Sequence, residues 1–401
     1  MESGLTASET RDPRDEGSCA KEEWLRLAVI QPSPFCNINC DYCYLPGRSE
    51  THRMDHETLR SVVREIFLSG LVSESLTFVW HAGEPLAVPI LWYEKALDVI
   101  ASEAPTGLRV IHSFQSNGTL INDRWCEFIK SRNISMGLSI DGPAWVHDAH
   151  RKTRQGQGTH ELAMRGARTL QSHGISFHVI AVVTEASLNH ADEIFDFFVE
   201  NGMARFGFNV EEQEGIHTES SLQECHVGRV EAFFRTMFAR QKSANGEVRI
   251  REFDFALQRI GVGRETAAME FLYENEQVRP FGILSVDWQG HFSTFSPEML
   301  GVSTKEYGNF TFGKIPDNTL LDGLRSDNFL HANAAIAAGV ERCRQDCGYF
   351  KLCGGGAPAN KYFENGSFDS TETAYCRHVI QLPINLVLEN LEADLGNSRA
   401  L

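Results

Sequence analysis

Three cysteines stand in one short stretch, Cys36-Asn-Ile-Asn-Cys40-Asp-Tyr-Cys43, directly ahead of Tyr44. Thiolates spaced this way can share one loop and ligate a common inorganic centre. A cubane iron-sulfur cluster normally takes four thiolates, so three leave one iron open to an outside ligand. The competing chemistry is zinc with a distant fourth ligand, for which this spacing is unusual. A second group, Cys343-Arg-Gln-Asp-Cys347-Gly-Tyr-Phe-Lys-Leu-Cys353, is followed by Gly354-Gly355-Gly356-Ala357-Pro358 and then by Cys376. Four thiolates can saturate a further cluster, which suits electron transfer or structure; a structural zinc is the alternative. The glycine triplet is no phosphate loop, because no Gly-Lys-Ser/Thr ending follows it. Cys19, Cys126 and Cys225 stand apart and read as ordinary free thiols.

Both groups need elements to position them. From about residue 24, apolar β-like runs and amphipathic helical runs alternate six times, which predicts βα units and a parallel sheet. Strands are expected at 25–31, 76–80, 108–115, 134–140, 176–183 and 205–210, with helices near 55–69, 89–102, 122–131, 158–173 and 189–201. Phe177 to Val183 is nearly continuous in apolar residues, as expected of a parallel strand covered on both faces. The first cysteine group follows the first strand, at the carboxyl end where βα barrels place their active sites. The fold class expected is α/β, a partial (β/α)6 barrel with a C-terminal cysteine-rich domain. Residues 1–22 are polar and without apolar period, and are expected to be a disordered tail. The barrel is expected over 23–235, a bridging region with a hairpin (282–287, a turn at Trp288-Gln289-Gly290, then 291–295) over 236–335, and the cysteine-rich domain over 336–401.

Composition bounds the partners. With 37 Lys+Arg against 54 Asp+Glu, the net charge is −17, which argues against a nucleic-acid partner that needs clustered cations. No charged-then-apolar leader and no run of 18 apolar residues is seen, so a cytoplasmic protein with no membrane partner is expected. In a reducing compartment, ten cysteines of which seven fall into two groups point to metal rather than disulfides.

The Cys-x3-Cys-x2-Cys loop followed by an aromatic residue resembles the radical SAM superfamily. Further motifs follow successive strands in the order of that family. Trp80-His81-Ala82-Gly83-Glu84-Pro85 resembles the Gly-Gly-Glu-Pro turn that receives the amine of S-adenosylmethionine, with Ala82 replacing the first glycine; Gln115-Ser116-Asn117-Gly118 and Ser139-Ile140-Asp141-Gly142-Pro143 end the third and fourth strands. The resemblance implies a [4Fe-4S] cluster on Cys36, Cys40 and Cys43 that binds S-adenosylmethionine. It further implies Gly83 and Glu84 at the amine, Ser139 and Arg151 at the carboxylate, Ser116 and Asn117 near the nucleoside, and Tyr44 near the adenine. Carbonyls and a carboxylate at a strand end suit an ammonium group.

The tail resembles the SPASM extension of radical SAM maturases, which usually carries seven cysteines and two auxiliary clusters. Here Ala357 stands where the family often has a cysteine, and the hairpin end Ser293-Thr294-Phe295-Ser296 has no thiol. The resemblance thus implies one auxiliary [4Fe-4S] cluster, on Cys343, Cys347, Cys353 and Cys376. The stretches from Val29 to Cys36, Trp80 to Leu86, Val286 to Gly290 and Gly354 to Lys361 resemble the cyclophane-forming peptide maturases of the GrrM/OscB type. That implies a ribosomally made precursor peptide with a repeat-rich core, and an external electron donor of flavodoxin or ferredoxin type. In such enzymes a 5′-deoxyadenosyl radical takes hydrogen from a side-chain β-carbon, which bonds to an aromatic ring that then loses a proton and an electron. The side chain that takes the proton is not assigned. Anaerobic sulfatase maturases use an aspartate beside a hairpin cysteine, a place held here by Phe295-Ser296. A thioether-forming or sulfatase-maturating enzyme stays open as the second reading, and a zinc-stabilised binding protein as the third.

Overall fold

The computed structural model describes residues 25–222, 224–261 and 274–398. The expected disordered tail at 1–22, with Cys19, lies outside these residues. Six strands, β1 (Leu25–Ile30), β2 (Val72–Trp80), β3 (Arg109–Ser116), β4 (Ser135–Ser139), β5 (Phe177–Val183) and β6 (Arg205–Val210), pair in sequence order and all in parallel. The helices α1 (His56–Leu68), α2 (Ile90–Glu103), α3 (Asp123–Ser131), α4 (Ala144–His150), α5 (His160–Ser172) and α6 (Ala191–Glu200) fill the crossovers. Their starts are set locally: Asp55 and Asn122 accept from the backbone N–H groups of Thr58 and Trp125, satisfying donors that the first turn leaves orphaned. In α1, Leu59, Val62, Val63 and Ile66 recur at helical spacing and are all buried.

No ladder joins β1 to β6 among the described residues. Leu27 of β1 nevertheless lines one cavity with Phe208 and Asn209 of β6, so the sheet curls without closing. This is the partial barrel expected. The edge of β6 carries a two-residue strand, β7 (Arg249–Ile250), reached through α7 (Val227–Ser243) and leading into α8 (Arg251–Ile260).

Three features depart from the sequence reading. The hairpin of β8 (Ile283–Val286) and β9 (His291–Thr294) forms at the expected turn, but it also joins the main sheet: β8 runs parallel to β1 from Leu27↔Ile283 to Ile30↔Val286. A hairpin far along the chain thus becomes the strand next to the cysteine loop's own strand. Second, α4 was not expected; only seven residues long and entered through Pro143, it carries too little periodicity to register. Third, β5 is covered unequally, with Val179, Ala181 and Val183 buried but Ile180 and Val182 only half-buried. Its second face borders open space instead of packed core.

The tail folds as α9 (Leu320–Gly323), α10 (Asp327–Asp346), α11 (Phe350–Cys353), α12 (Pro358–Asn365) and α13 (Leu382–Ser398). Helix α13 packs on α7 and α8, holding this region against the barrel. No helix among the described residues is long and apolar enough to cross a membrane.

Candidate active site

The loop after β1 is lashed to every neighbouring strand end. The Glu84 N–H donates to the Phe35 carbonyl at 2.8 Å, and Gln31 Nε2 donates to the Ala82 carbonyl at 2.8 Å. Asn117 Nδ2 reaches Asn37 Oδ1 at 2.9 Å, and Asn37 Nδ2 reaches Thr119 Oγ1 at 2.8 Å. From the other side, Asn39 N–H donates to the Lys152 carbonyl, and Arg154 Nη2 donates to that of Cys36 at 2.7 Å. Gly83 shows how close this packing is: at φ +133° a Cβ would stand 2.3 Å from the Ser33 carbonyl oxygen. Only glycine fits there. Gly83→Ala is expected to displace the cysteine loop and to cost about four irons per chain, one cubane's worth, by iron quantitation; unchanged iron would show that the loop tolerates the shift.

The three thiols then border one cavity together with Tyr44, Gly83, Glu84, Ser116, Asn117, Ser139 and Arg151. Every residue expected at this centre is therefore in one place, and Gln115, Arg48 and His81 join them. Burial, helped by the Glu84 carboxylate, pushes Cys36 up to about 12, and burial pushes Cys40 up to about 11 against the pull of Arg151. As free thiols they are protonated at neutral pH, so metal ligation must release their protons.

Glu84 is buried in the turn that leads from β2 to α2. Its Oε1 accepts from Leu86 N–H (2.9 Å) and Ser116 Oγ (2.8 Å), and its Oε2 from Asn117 N–H (2.8 Å). Burial pushes it up to about 7 despite these bonds. A carboxylate offers about four lone-pair directions, so roughly one is left for an ammonium guest. Ser139 Oγ accepts from Gln115 Nε2 at 3.0 Å. Gln115 can lie there because Gly137 has no Cβ, which would meet its Oε1 at 2.1 Å.

Arg151 is held by a residue the sequence reading quoted but did not assign. Asp141 accepts from Arg151 Nε at 2.9 Å and Nη2 at 3.0 Å, from Val182 N–H at 2.9 Å and from Tyr42 Oη at 2.5 Å. Both partners are buried, and the Tyr42 ring lies 5.3 Å from the guanidinium. Nη1 has no partner among the described residues, and it is the group left to meet an anion.

The second cysteine group also converges. Cys343 on α10, Cys347 just past it, Cys353 at the end of α11, and Cys376 line one small cavity with Gly355 and Gly356. Gly354, Gly355 and Gly356 all take positive φ, turning the chain back over the thiols. The Gly356 N–H donates to Cys353 Sγ at 3.2 Å, and Thr373 Oγ1 to Cys376 Sγ at 3.3 Å. Cys376 opens a π-helical turn, Cys376–Gln381, which runs into α13. Such turns are frequent where a side chain must be re-aimed. Among the described residues, no three His, Cys, Asp or Glu side chains gather tightly enough for a single ion. Thiols spread round a cavity wall, with N–H groups aimed at sulfur, fit a polynuclear cluster. Cys126 is buried in α3 and Cys225 exposed, both away from these cavities. Ala357 and Ser296 are both buried, at the two places where the resemblance would have a thiol.

Between the two cysteine groups lies a larger cavity that the sequence did not disclose. Glu212 and Glu214 after β6, Glu298 after β9, and Asn360, Cys353, Gly356 and Tyr375 from the tail share its wall. Burial raises all three carboxylates, Glu298 to about 7, and neighbouring carboxylate charges add to it: Glu298 and Glu212 act on Glu214, Glu212 on Glu298, and Glu364 on Glu212. Ser296 Oγ hydrogen-bonds Glu298, and Asn360 Nδ2 donates to Glu212 at 2.5 Å. Tyr44 borders the first cavity and feels the charge of the second: it lies against the cysteine triad, its hydroxyl is buried without a partner among the described residues, and burial together with the Glu298 charge raises it. The one local signal was the density of acids in Glu211-Glu212-Gln213-Glu214 at the carboxyl end of a barrel strand.

Comparison with known proteins agrees with this geometry. The model of the radical SAM superfamily matches residues 30–211, from the end of β1 to just past β6. A protein of Synechocystis sp., described as uncharacterized, is 42% identical over 92% of this chain and 93% of its own length. The serine-type anaerobic sulfatase-maturating enzyme of Klebsiella aerogenes is 35% identical over 192 residues, 47% of each chain. A solved structure, native anSMEcpe with bound AdoMet and Cp18Cys peptide, superposes with a TM-score of 0.71 at 22% identity, over 93% of this chain and 99% of that one. An α/β enzyme fold with S-adenosylmethionine and iron-sulfur clusters as its cofactors follows, and this chain belongs to the radical SAM superfamily.

Proposed function

We propose that the chain is a maturase of a ribosomally made precursor peptide, joining an aromatic ring to a side-chain β-carbon in a carbon-carbon crosslink. The observation that carries this reading is the carboxylate-lined cavity between the triad Cys36, Cys40 and Cys43 and the tail group Cys343, Cys347, Cys353 and Cys376. Reductive cleavage of S-adenosylmethionine at a three-thiolate cluster supplies a carbon radical that removes hydrogen from the substrate.

The chain's own residues do the rest. In this reading Gly83, with the remaining lone pair of Glu84, receives the amine; Ser139 and Arg151 Nη1 hold the carboxylate; Ser116 and Asn117 fix the turn beside the nucleoside; Tyr44 walls off the adenine. A ring that has gained a carbon bond must lose a proton, and a carboxylate poised near neutrality in a half-dry cavity is suited to accept it. Glu298 takes that role, with burial and the Glu212 charge holding its affinity for protons high. One auxiliary cluster, which Cys343, Cys347, Cys353 and Cys376 would hold, would supply an acceptor for the ring's electron, and an external carrier of flavodoxin or ferredoxin type would exchange electrons with the chain. A thiol-free hairpin end at Ser296 agrees with one auxiliary cluster, for which iron near eight per chain is expected; about twelve, or one zinc, would sink it. Cys376→Ala is expected to leave S-adenosylmethionine cleavage running while crosslinking stops, read by mass spectrometry of products. Unchanged crosslinking would remove the electron-accepting role.

Co-expression with the product of a small open reading frame neighbouring the gene, expected in this reading to be glycine-rich, tests the whole reading, with a loss of two hydrogens per crosslinked ring expected in the peptide mass. A second reading, maturation of a sulfatase, is favoured by the similarity to the Klebsiella enzyme. Conversion of a sulfatase serine or cysteine peptide to its aldehyde, with no crosslinking of the neighbouring peptide, would establish it instead.

A further inference from the structure

Lys361 is almost fully buried, with 2% of its surface exposed. Its Nζ donates to the Gly339 carbonyl at 3.0 Å and lies 3.2 Å from Cys343 Sγ. No carboxylate pairs with it among the described residues. A buried ammonium with only a neutral carbonyl for company carries a large desolvation penalty, and such groups persist when a negative partner is at hand. The hydrogen-bond partner that can carry negative charge is Cys343, as its thiolate.

The surroundings are cut to bring that ammonium in. Gly339 lies one helical turn before Cys343 on α10, so both face the same way. A Cβ at Gly339 would stand 3.2 Å from Nζ and 2.1 Å from the Phe368 carbonyl oxygen. Where a Cβ on Gly356 would sit, Lys361 Cε and Cys376 Sγ are each 3.5 Å away. The lysine stem on its way to Cys343 and the thiol of Cys376 therefore border the same space that Gly356 leaves open.

We propose that Lys361 is a positioning residue that sets the reduction potential of the auxiliary cluster, by fixing a positive charge and an N–H···S bond on the Cys343 thiolate. The inference rests on the assignment of that cluster to Cys343, Cys347, Cys353 and Cys376. When the substrate ring gives up its electron, the oxidised cluster gains it and becomes one unit more negative. An ammonium beside a ligating sulfur favours that more negative state, since charge and hydrogen bonds to sulfur are what tune such centres. Lys361 thereby makes the tail group a better electron acceptor.

The test is an EPR-monitored redox titration of the reconstituted full-length chain carrying Cys36→Ala, Cys40→Ala and Cys43→Ala, so that the auxiliary cluster alone is read. Lys361→Met removes the charge at similar length and Lys361→Arg keeps it. Lys361→Met is expected to shift the reduction equilibrium at least tenfold toward the oxidised state, about 59 mV for one electron, with Lys361→Arg within about threefold of the parent. An unchanged potential in Lys361→Met at about four irons per chain overturns the inference, as does an equal shift in Lys361→Arg. If Lys361→Met does not hold iron, Lys361→Gln, a neutral donor, takes its place under the same criteria, and loss of iron from both neutral variants but not from Lys361→Arg supports the charge requirement. A parent chain without iron, or with zinc, overturns the cluster assignment itself and is distinguished from failure of the lysine's role by metal analysis before any titration.

Discussion

Glu298→Gln is expected to lower crosslink formation by about 10²- to 10⁴-fold, the usual worth of a positioned general base, while release of 5′-deoxyadenosine continues. The two yields, read from the same reaction by chromatography and mass spectrometry, separate the proton acceptor from the radical-generating centre. The pH dependence gives an independent sign. Burial and the neighbouring Glu212 charge lift Glu298 to about 7, although its own backbone N–H pulls the other way. Only the ionised form accepts a proton, so crosslinking by the native chain should rise with pH through about 7 and level off above it. The variant should have lost that limb. Glu212 and Glu214 share a hydrogen bond that raises Glu214 and lowers Glu212, with burial the largest cause of the rise in each, so they work as a proton-holding pair behind Glu298. Full crosslinking by Glu298→Gln would transfer the role to that pair, and full crosslinking by Glu212→Gln as well would remove the cavity from the chemistry.

The second large effect is on stability. Asp141→Asn strips the buried Arg151 of its counter-ion, a class of change that costs about 3–5 kcal/mol because a charge is left in a dry site. Denaturant unfolding of the apo chain reads it directly. Adding Arg151→Met to Asp141→Asn should recover part of the loss, since no charge then stays uncompensated. Burial alone would raise Asp141, but the Arg151 guanidinium and its hydrogen bonds outweigh it and hold the carboxyl below its usual range. A depressed folded value means that the pair's contribution is fully present above the unfolded value, about 3.9, and is lost as pH falls through the folded one. The native chain should therefore lose stability on that acid limb where the Asn variant does not. An unfolding free energy within about 1 kcal/mol of native for Asp141→Asn would mean that water reaches the guanidinium.

The cysteine triad was legible because its chemistry is local. Cys36, Cys40 and Cys43 share one loop after one strand, and the turns after β2, β3 and β4 arrive in order because parallel βα units put successive strand ends on one rim. The six strands were legible for the same reason, since apolar runs and helical periods are properties of short windows. Glycines at 83 and 137 could be read as turn or strand glycines, but what they make room for, the Ser33 carbonyl and the Gln115 side chain, lies on other elements.

The rest depended on contacts between distant segments. Nothing in the sequence near Glu298 points to Glu212, and the two meet only because β8 and β9 join the sheet beside β1 while the curl brings β6 round to face them. Asp141 stood only as part of a strand-end motif until the fold set Arg151 against it, and Lys361 only as the last residue of a stretch resembling the peptide maturases until α10 placed Gly339 and Cys343 around its ammonium. By itself the sequence determined which thiols share a loop and the order in which the strand ends present their motifs, because residue spacing and backbone period are short-range properties. The tertiary structure decided which carboxylates lose water, which charges are paired, and what stands between the two thiol groups, because desolvation and Coulomb interaction depend on distance in space and not along the chain.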